Sequence, residues 1–490
     1  MHGPIELLAD RSPSDLVLTD AGAGVAYSAT TLRELGDQLT PHLATNRKTL
    51  VHLMAGPCVE AIAAYLACLR LGHAVIVTDS RLDTDHQKNV IAGLRPDVVV
   101  DARGRHGPGG AQAAAGYRTA SLVGTAGVLV RQDDHDDDAL PVPDSLAVLL
   151  ATSGSLDGSR LVCLSYDNVV SNALAIGQAL ALSPEDRAAL TLPVAHSYGL
   201  SVLNSHLLAG GSLALPQIVP SNTRFWDVFG RLGCTTFAGV PDNYRILSAM
   251  GVRFADQPSL RLATVAGGAL SEPLVLEIGE ELLNAGKDLA VMYGQTEATA
   301  RIACHRGPDV LRFPTSVGPA VPGSTVWIES PDGSPLEDGD TGEILLRGPG
   351  IMLGYASTRE ELAAIPENSP TTMRTGDLGY LAQGRLHVTG RLSRLIKPLG
   401  VRVQLDEIEE AFATVGPAAV VAGEGETLIV YVEADPAAYR GVYRTVLADY
   451  ALPPTVVRIE PIARIPRTYS GKVSYAELSQ ADRLHRTSRS

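Results

Sequence analysis

The feature that most limits the fold is an alternation that sets in after a polar start. Leu50 to Met54 is a short apolar run, Cys58 to Leu71 (CVEAIAAYLACLRL) spaces its apolar residues at helical intervals, and Ala74 to Thr78 and Val98 to Val100 are extended runs again. Strand, helix, strand in this rhythm predicts an α/β protein with a parallel sheet. Parallel strands need a crossover of a dozen or more residues, and a helix supplies it. Leu146 to Leu150 adds a further strand. At ~100–200 residues per domain, 490 residues predict about three structural units.

Several runs end in polar tips punctuated by glycine. Leu289 to Tyr293 reads as a buried strand, Gly294-Gln295-Thr296-Glu297 as its tip, and Ala298 onward as the opening of a helix. Glycine lets a ligand approach the backbone, threonine offers a hydroxyl, and glutamate is a hard oxygen ligand of the kind Mg²⁺ prefers. Alone, this stretch fits a strand-to-helix turn or a nucleotide site equally well. After Leu146–Leu150 comes Thr152-Ser153-Gly154-Ser155-Leu156-Asp157-Gly158-Ser159-Arg160, whose N–H and O–H groups suit phosphate oxygens. It lacks the Walker A spacing, and a solvent loop is the other reading. Leu190 to Leu200 sets His196, Tyr198 and Gly199 after a strand and a proline. Phe237–Tyr244 and Val265–Leu270 are strand-to-turn transitions with small residues that leave room for a ligand or pack tightly.

Further on, Ser316 to Gly354 predicts short antiparallel strands: VWIES, a PDGS turn, then GEILLRG. Arg374-Thr375-Gly376-Asp377 predicts a tight turn whose carboxylate accepts the two hydroxyls of a ribose. Gly384 to Gly400 carries a strand, a turn and a basic patch, and Leu405 to Phe412 begins an amphipathic helix with carboxylates in its first turn. Strands at Thr427–Val432 and Val456–Ile459 complete a small α+β lobe ending near Lys472. Arg103 to Gly116 has no third glycine at Gln112 and holds Pro108, so a dinucleotide loop is not expected there. Asp133 to Asp138 is a solvated acidic run.

Composition narrows the function. A formal net charge of -14 argues against a nucleic-acid binder, which needs a basic face. Cys58, Cys68, Cys163, Cys234 and Cys304 are scattered without a CxxC, which predicts reduced thiols in a cytoplasmic protein. The opening MHGPIELLADRS lacks a basic segment followed by an apolar core, so no secretory signal is expected. No apolar run approaches ~18 residues, so no membrane span is expected either. A hydrolase built on His196 lacks its Gly-x-Ser-x-Gly elbow.

Taken together and in order, these pieces resemble the adenylate-forming superfamily of acyl-CoA synthetases, adenylation domains and luciferases. The loop at Thr152–Arg160 resembles that superfamily's phosphate-binding TSGSTGxPKG. Pro193-x-x-His196 with Gly199, Tyr293–Glu297, Thr375-Gly376-Asp377, Gly390-Arg391 through Lys397 and Gly400, and Gly471-Lys472 resemble its later motifs. The resemblance implies an α/β fold with a large N-terminal domain of layered sheets plus a distorted β-barrel, residues 1–391. A small mobile C-terminal α+β domain, residues 392–490, would turn about a hinge at Ser393 and exchange Lys472 for the Lys397–Val401 segment.

The implied activity is ATP-dependent conversion of a small-molecule carboxylic acid, aryl or acyl, to its acyl-adenylate with release of pyrophosphate. Transfer to a thiol follows, on CoA or on the pantetheine of a carrier protein. ATP and Mg²⁺ are the implied cofactors. Lys472, His196 and Thr296 would be catalytic, and Glu297 would hold the metal. Thr152, Ser153, Gly154, Ser155, Arg160, Gly268, Tyr293, Gly294, Gln295, Thr296, Asp377 and Arg391 would bind the nucleotide. Within that set Tyr293 stacks on adenine, Thr296 meets the α-phosphate and Asp377 takes the ribose. Tyr198, Phe237, Gly239, Ala266, Gly267 and Met292 would line the acid pocket.

The chain departs from the pattern in three places. Arg160 stands for the usual lysine, Leu156-Asp157 for Thr-Gly, and Ser393 for the usual hinge aspartate. His-Ser-Tyr-Gly at 196–199 replaces the Phe-Asp of amino-acid-activating members and resembles acyl- and aryl-acid members. Two alternatives stay open. One is a ligase with a non-thiol acceptor, either amide-forming or a nitrite-adenylating diazotase acting on an arylamine. The other is a non-catalytic nucleotide- or acyl-binding relative.

Overall fold

The computed structural model describes the chain except for residues 1–2, 45, 83, 104–115, 133–139, 152–159, 402, 424–426, 451, 468–472, 476 and 480–490. The expected phosphate loop residues Thr152, Ser153, Gly154 and Ser155, the acidic run and Lys472 lie outside the described residues. The chain forms two compact units, Met1–Thr325 with Leu346–Met373, and Val326–Leu345 with Arg374–Ser490.

The first unit carries two eight-stranded sheets. In one, Leu146–Ala151, Ala74–Asp79, Leu50–Ala55 and Val98–Ala102 lie side by side and parallel. Every residue of Leu50–Ala55 and Ala74–Asp79 is buried. Strands covered on both faces must be apolar throughout, which is why these runs are continuous rather than alternating. The helix between them spans Val59–Arg70. The edges of this sheet are antiparallel, formed by Leu161–Ser165 with Gly354–Ala356 on one side and Ala126–Arg131 with Tyr117–Val123 on the other. The purely parallel expectation therefore holds only for the centre, since short hairpins reach the edges without a crossover.

The second sheet runs Ala303–Arg306, Asp288–Tyr293, Leu262–Val265, Thr236–Gly239, Arg187–Ala189, Ser212–Leu215, Leu16–Asp20 and Val25–Ser28. Asp288–Tyr293, Leu262–Val265, Thr236–Gly239 and Arg187–Ala189 are consecutive and parallel, with Gly239 opposite Val265 and Val265 opposite Val291. Their carboxyl ends therefore line up along one edge. Phe237 sits in an aromatic cluster with Phe225, Trp226, Tyr244 and Phe254, ring centres 5.3–6.1 Å from its own.

The second unit holds a four-stranded sheet of Thr325–Glu329, Gly342–Arg347, Thr372–Ala382 and Arg385–Arg391. Its C-terminal part is α+β. Ala418–Ala422 pairs antiparallel and Val457–Pro461 parallel with Leu428–Val432, and Leu405–Ala413 and Arg440–Asp449 are helices. All five cysteines are free and buried. No helix among the described residues is long and apolar enough to cross a membrane.

Candidate functional site

Four polar tips read from the sequence follow the four adjacent parallel strands. The Arg187–Ala189 strand leads to Pro193 and His196, Thr236–Gly239 ends on Gly239, Leu262–Val265 leads into Ala266, Gly267 and Gly268, and Asp288–Tyr293 ends on Tyr293. Segments remote in sequence thus share one sheet edge, the place where open α/β sheets bind ligands.

The tip after Tyr293 does not open a helix as the sequence suggested. Thr296–Ala298 is a single 3₁₀ turn, and the chain then doubles back into the antiparallel strand Ala303–Arg306. The reversal requires left-handed backbone at Thr299, φ 54°, and Ala300, φ 102°, which is costly for side-chain-bearing residues. Local bonds hold it. The Thr299 hydroxyl donates to the Gly350 carbonyl at 2.6 Å, and the Asn172 amide donates to the Arg301 carbonyl at 2.9 Å while accepting from the Arg301 N–H at 3.2 Å. A Cβ at Gly294 would run into the Ala300 carbonyl, so only glycine fits that position.

Thr296 and Glu297 are thereby fixed. The Thr296 hydroxyl donates to Ser197 Oγ at 3.2 Å, joining the tip to the first residue of helix Ser197–Leu208, which His196 caps. The N–H groups and dipole at a helix start of this kind favour an anion. Glu297 Oε1 accepts a 2.8 Å hydrogen bond from the Tyr355 hydroxyl, and the Arg160 guanidinium lies over the Tyr355 ring, 5.1 Å from its centre. Burial first and the Glu297 charge second raise the Tyr355 pKa, so the phenol stays a donor. Tyr355 arrives there because Gly354–Ala356 pairs with Leu161–Ser165, Tyr355 opposite Val162. Glu297 is half-buried and suits Mg²⁺, which takes one or two protein carboxylates and fills its shell with phosphates and waters. Among the described residues no group of three or more His, Cys, Asp or Glu forms a metal cage.

Of the expected acid-pocket residues, Tyr198, Phe237 and Met292 line one small cavity of about 10 Å³, room for about one water molecule. Gly239 and Ala266–Gly267 stand at the strand ends instead of lining it. The Tyr198 hydroxyl bonds Thr264 Oγ1 at 2.8 Å, and burial pushes its pKa up to about 12.

In the second unit, Thr375, Gly376 and Asp377 lie inside the strand Thr372–Ala382 and not in a free tight turn. Gly376 has φ 70°, and Thr375 Oγ1 accepts from the Asp377 N–H at 3.1 Å, so the motif is a kink within a strand. Asp377 pairs in register with Arg391, whose Nε stands 3.4 Å from its carboxylate. Ser393 is exposed in the 3₁₀ turn Leu392–Arg394. Behind it, Arg394 bonds Asp406, pairs with Glu409 at 3.0 Å and lies 3.9 Å over the Tyr475 ring centre, while the Tyr475 hydroxyl donates to Glu409 at 2.7 Å.

Sequence reading missed Ser197, Asn172, Tyr355 and Arg301. Three lack any local signal, because pairing across long separations brings them in. Arg301 had one, a cation placed directly before the apolar run Ile302-Ala303-Cys304.

A family model described as AMP-binding enzyme matches residues 8–356. The chain belongs to the AMP-binding enzyme family. It is 30% identical to a sulfoacetate–CoA ligase of Cupriavidus necator over 69% of this chain and 67% of the relative. It is 29% identical to an oxalate–CoA ligase of Saccharomyces cerevisiae over 67% of this chain and 62% of the relative. The match thus spans about two thirds of the length of these curated relatives. The crystal structure of ATP-bound MatB from Rhodopseudomonas palustris is similar over 97% of this chain and 98% of that one, with a TM-score of 0.78 and 25% identity. In this AMP-binding enzyme the family match takes in Arg160, His196, Tyr293–Glu297 and Tyr355, while Asp377, Arg391 and Ser393 lie beyond it.

Proposed function

We propose that the chain activates a carboxylic acid with ATP and transfers the acyl group to a thiol, that of CoA or of a carrier protein's pantetheine. The observation that carries this reading is the arrangement at the Tyr293 strand end. A hydroxyl from Thr296, the Glu297 carboxylate and the start of helix Ser197–Leu208 stand together at the edge of a parallel sheet. The CoA-ligase names of both relatives support a thiol acceptor.

In the first step a carboxylate oxygen of the acid attacks the α-phosphorus, the bond to the bridging oxygen breaks, and pyrophosphate leaves. Thr296 donates to the α-phosphate, Glu297 holds Mg²⁺, Tyr355 orients Glu297, and Tyr293 stacks on the adenine. When bound, Mg²⁺ neutralises charge on the phosphates. Asp377 takes the ribose hydroxyls with Arg391 beside it, and Lys472 follows the charge that develops between carboxylate and phosphate. Such an electrostatic contact typically contributes ~10²–10³ in rate. In the second step the sulfur attacks the acyl carbon, the bond to the phosphate oxygen breaks, AMP leaves, and the thiol proton passes to solvent. The division at residues 391/392, the hinge at Ser393 and a mobile lobe 392–490 belong to the same proposal. Five buried free thiols are in keeping with a cytoplasmic protein.

A pyrophosphate-release screen tests this, crossing alkyl and aryl acids, and nitrite with arylamines, against CoA and no acceptor. The expected result is acid-dependent pyrophosphate, with a thioester when CoA is present. AMP formation that requires nitrite would overturn the carboxylate reading.

A further inference from the structure

The cavity lined by Tyr198, Phe237 and Met292 holds a buried cation with no counter-charge among the described residues. Arg301 is 4% exposed. One terminal nitrogen donates to Ser201 Oγ at 3.2 Å and the other to the Ala300 carbonyl at 3.4 Å, while Nε has no hydrogen-bond partner among the described residues. Its guanidinium lies over the Tyr198 ring, 4.6 Å from the centre. Arg301, Tyr198, Phe237 and Met292 line the same cavity, and no carboxylate does. Charges taken out of water are ordinarily paired and fully hydrogen-bonded, and an arginine fork is built for bidentate contact with an oxyanion. Burial already disfavours the charge on Arg301.

The other basic group of the cavity is accounted for. His206 Nδ1 lies 2.8 Å from the Val202 carbonyl, which only accepts, so Nδ1 carries the proton and Nε2 accepts from Thr236 Oγ1 at 2.9 Å. His206 is a neutral, satisfied imidazole. The uncompensated charge belongs to Arg301.

We propose that Arg301 and Ser201 form an anion subsite in the acid pocket, so that the acid this chain activates carries a second anionic group. The spacing sets its size. Thr296 touches Ser197, Arg301 touches Ser201, and the two serines stand one turn apart on one helix face, about 6 Å along the axis. Because the first carboxylate lies between the α-phosphate at Thr296 and the subsite, at roughly 1.2 Å per bond of extended chain at most about five bonds, or a benzene ring, join the two acid groups. The substrate class is a short dicarboxylic or sulfo-carboxylic acid. Long-chain monoacids are selected against, because they leave the guanidinium dry and unpaired. This inference rests on the acid-activating reading above for the identity of the first carboxylate.

The test compares matched pairs in acid-dependent pyrophosphate release: adipate against hexanoate, and isophthalate against 3-methylbenzoate. The wild-type chain is expected to favour the diacid by about 10²–10³ in kcat/KM. Arg301→Met, close in length and apolar, is expected to invert that preference, and Arg301→Lys to keep part of it. A thermal-shift arm without ATP uses the same acids, and the diacid should raise the Tm of the wild type but not of Arg301→Met. Equal use of both members of each pair by the wild type, or an unchanged ratio in Arg301→Met, overturns the subsite while leaving acid activation standing. No pyrophosphate with any acid sinks acid activation, and the thermal-shift arm then decides the anion subsite by itself.

Discussion

Tyr355 and Glu297 meet at 2.8 Å, the phenol donating and the carboxylate accepting, although 58 residues separate them in the chain. The contact ties the strand Gly354–Ala356, which pairs with the strand after the expected phosphate loop, to the acidic tip of the neighbouring sheet, and it presets the one carboxylate proposed to carry Mg²⁺. Tyr355→Phe removes the donor and little volume. A hydrogen bond to a charged group is worth ~1.5–3 kcal/mol, so the Mg²⁺ concentration for half-maximal activity should rise by at least about tenfold. A magnesium titration at saturating ATP checks this, and an unchanged midpoint would remove the orienting role.

Gly294→Ala probes the reversal after Tyr293. The new methyl would meet the Ala300 carbonyl, on the left-handed stretch that sets Thr296 and Glu297, and lie 3.0 Å from the Cα of Arg301 that follows it. Overpacking of this kind costs ~1–3 kcal/mol. The expected outcome is a lower Tm together with a fall in kcat of about a hundredfold, since misplacement by an ångström is that costly. Full activity would mean that the tip need not keep its shape.

The sheet centres were legible because continuous apolar runs have one physical explanation, burial on both faces. The strand ending at Tyr293 and the helix Val59–Arg70 emerged within a residue or two of expectation for that reason. What followed Ala298 was not legible. Helical propensity in Glu-Ala-Thr-Ala was overridden by tertiary bonds from Asn172 and Gly350, which no local pattern announces. Asp377 was read correctly as a carboxylate at a Thr-Gly step but wrongly as a free turn, because its pairing with Arg391 depends on a neighbouring strand. Tyr355 and Ser197 were invisible for the same reason, their roles being set by pairing and packing.

Asp377→Ala separates binding from stability. The Arg391 side chain it pairs with is 61% exposed, so losing that ion pair should change stability by no more than about 1 kcal/mol. Loss of two charge-assisted bonds to a ribose should weaken ATP by roughly a hundredfold. Isothermal titration with ATP measures it, and wild-type affinity would contradict the ribose role.

His206 predicts an acid limit to stability. Burial lowers its pKa from 6.5 to about 4 in the folded chain. The unfolded chain therefore binds a proton that the folded chain refuses between those values, and stability rises with pH across that window. The full stability is present above pH 6.5, and about 3 kcal/mol should be lost as pH falls to about 4. His206→Gln should flatten this part of the Tm-against-pH curve. An equally steep curve in the variant would assign the acid limit to other groups.

The central claim is that the Tyr293–Glu297 edge directs attack of an acid on the α-phosphorus of ATP. The measurement that tests it most directly is the phosphorus product analysis of a reaction holding ATP, Mg²⁺ and the acid, without an acceptor. The account predicts acid-dependent acyl-adenylate and pyrophosphate in equal amounts, lost in Lys472→Ala and Thr296→Ala. ADP and phosphate in their place, or no acid dependence, would contradict it.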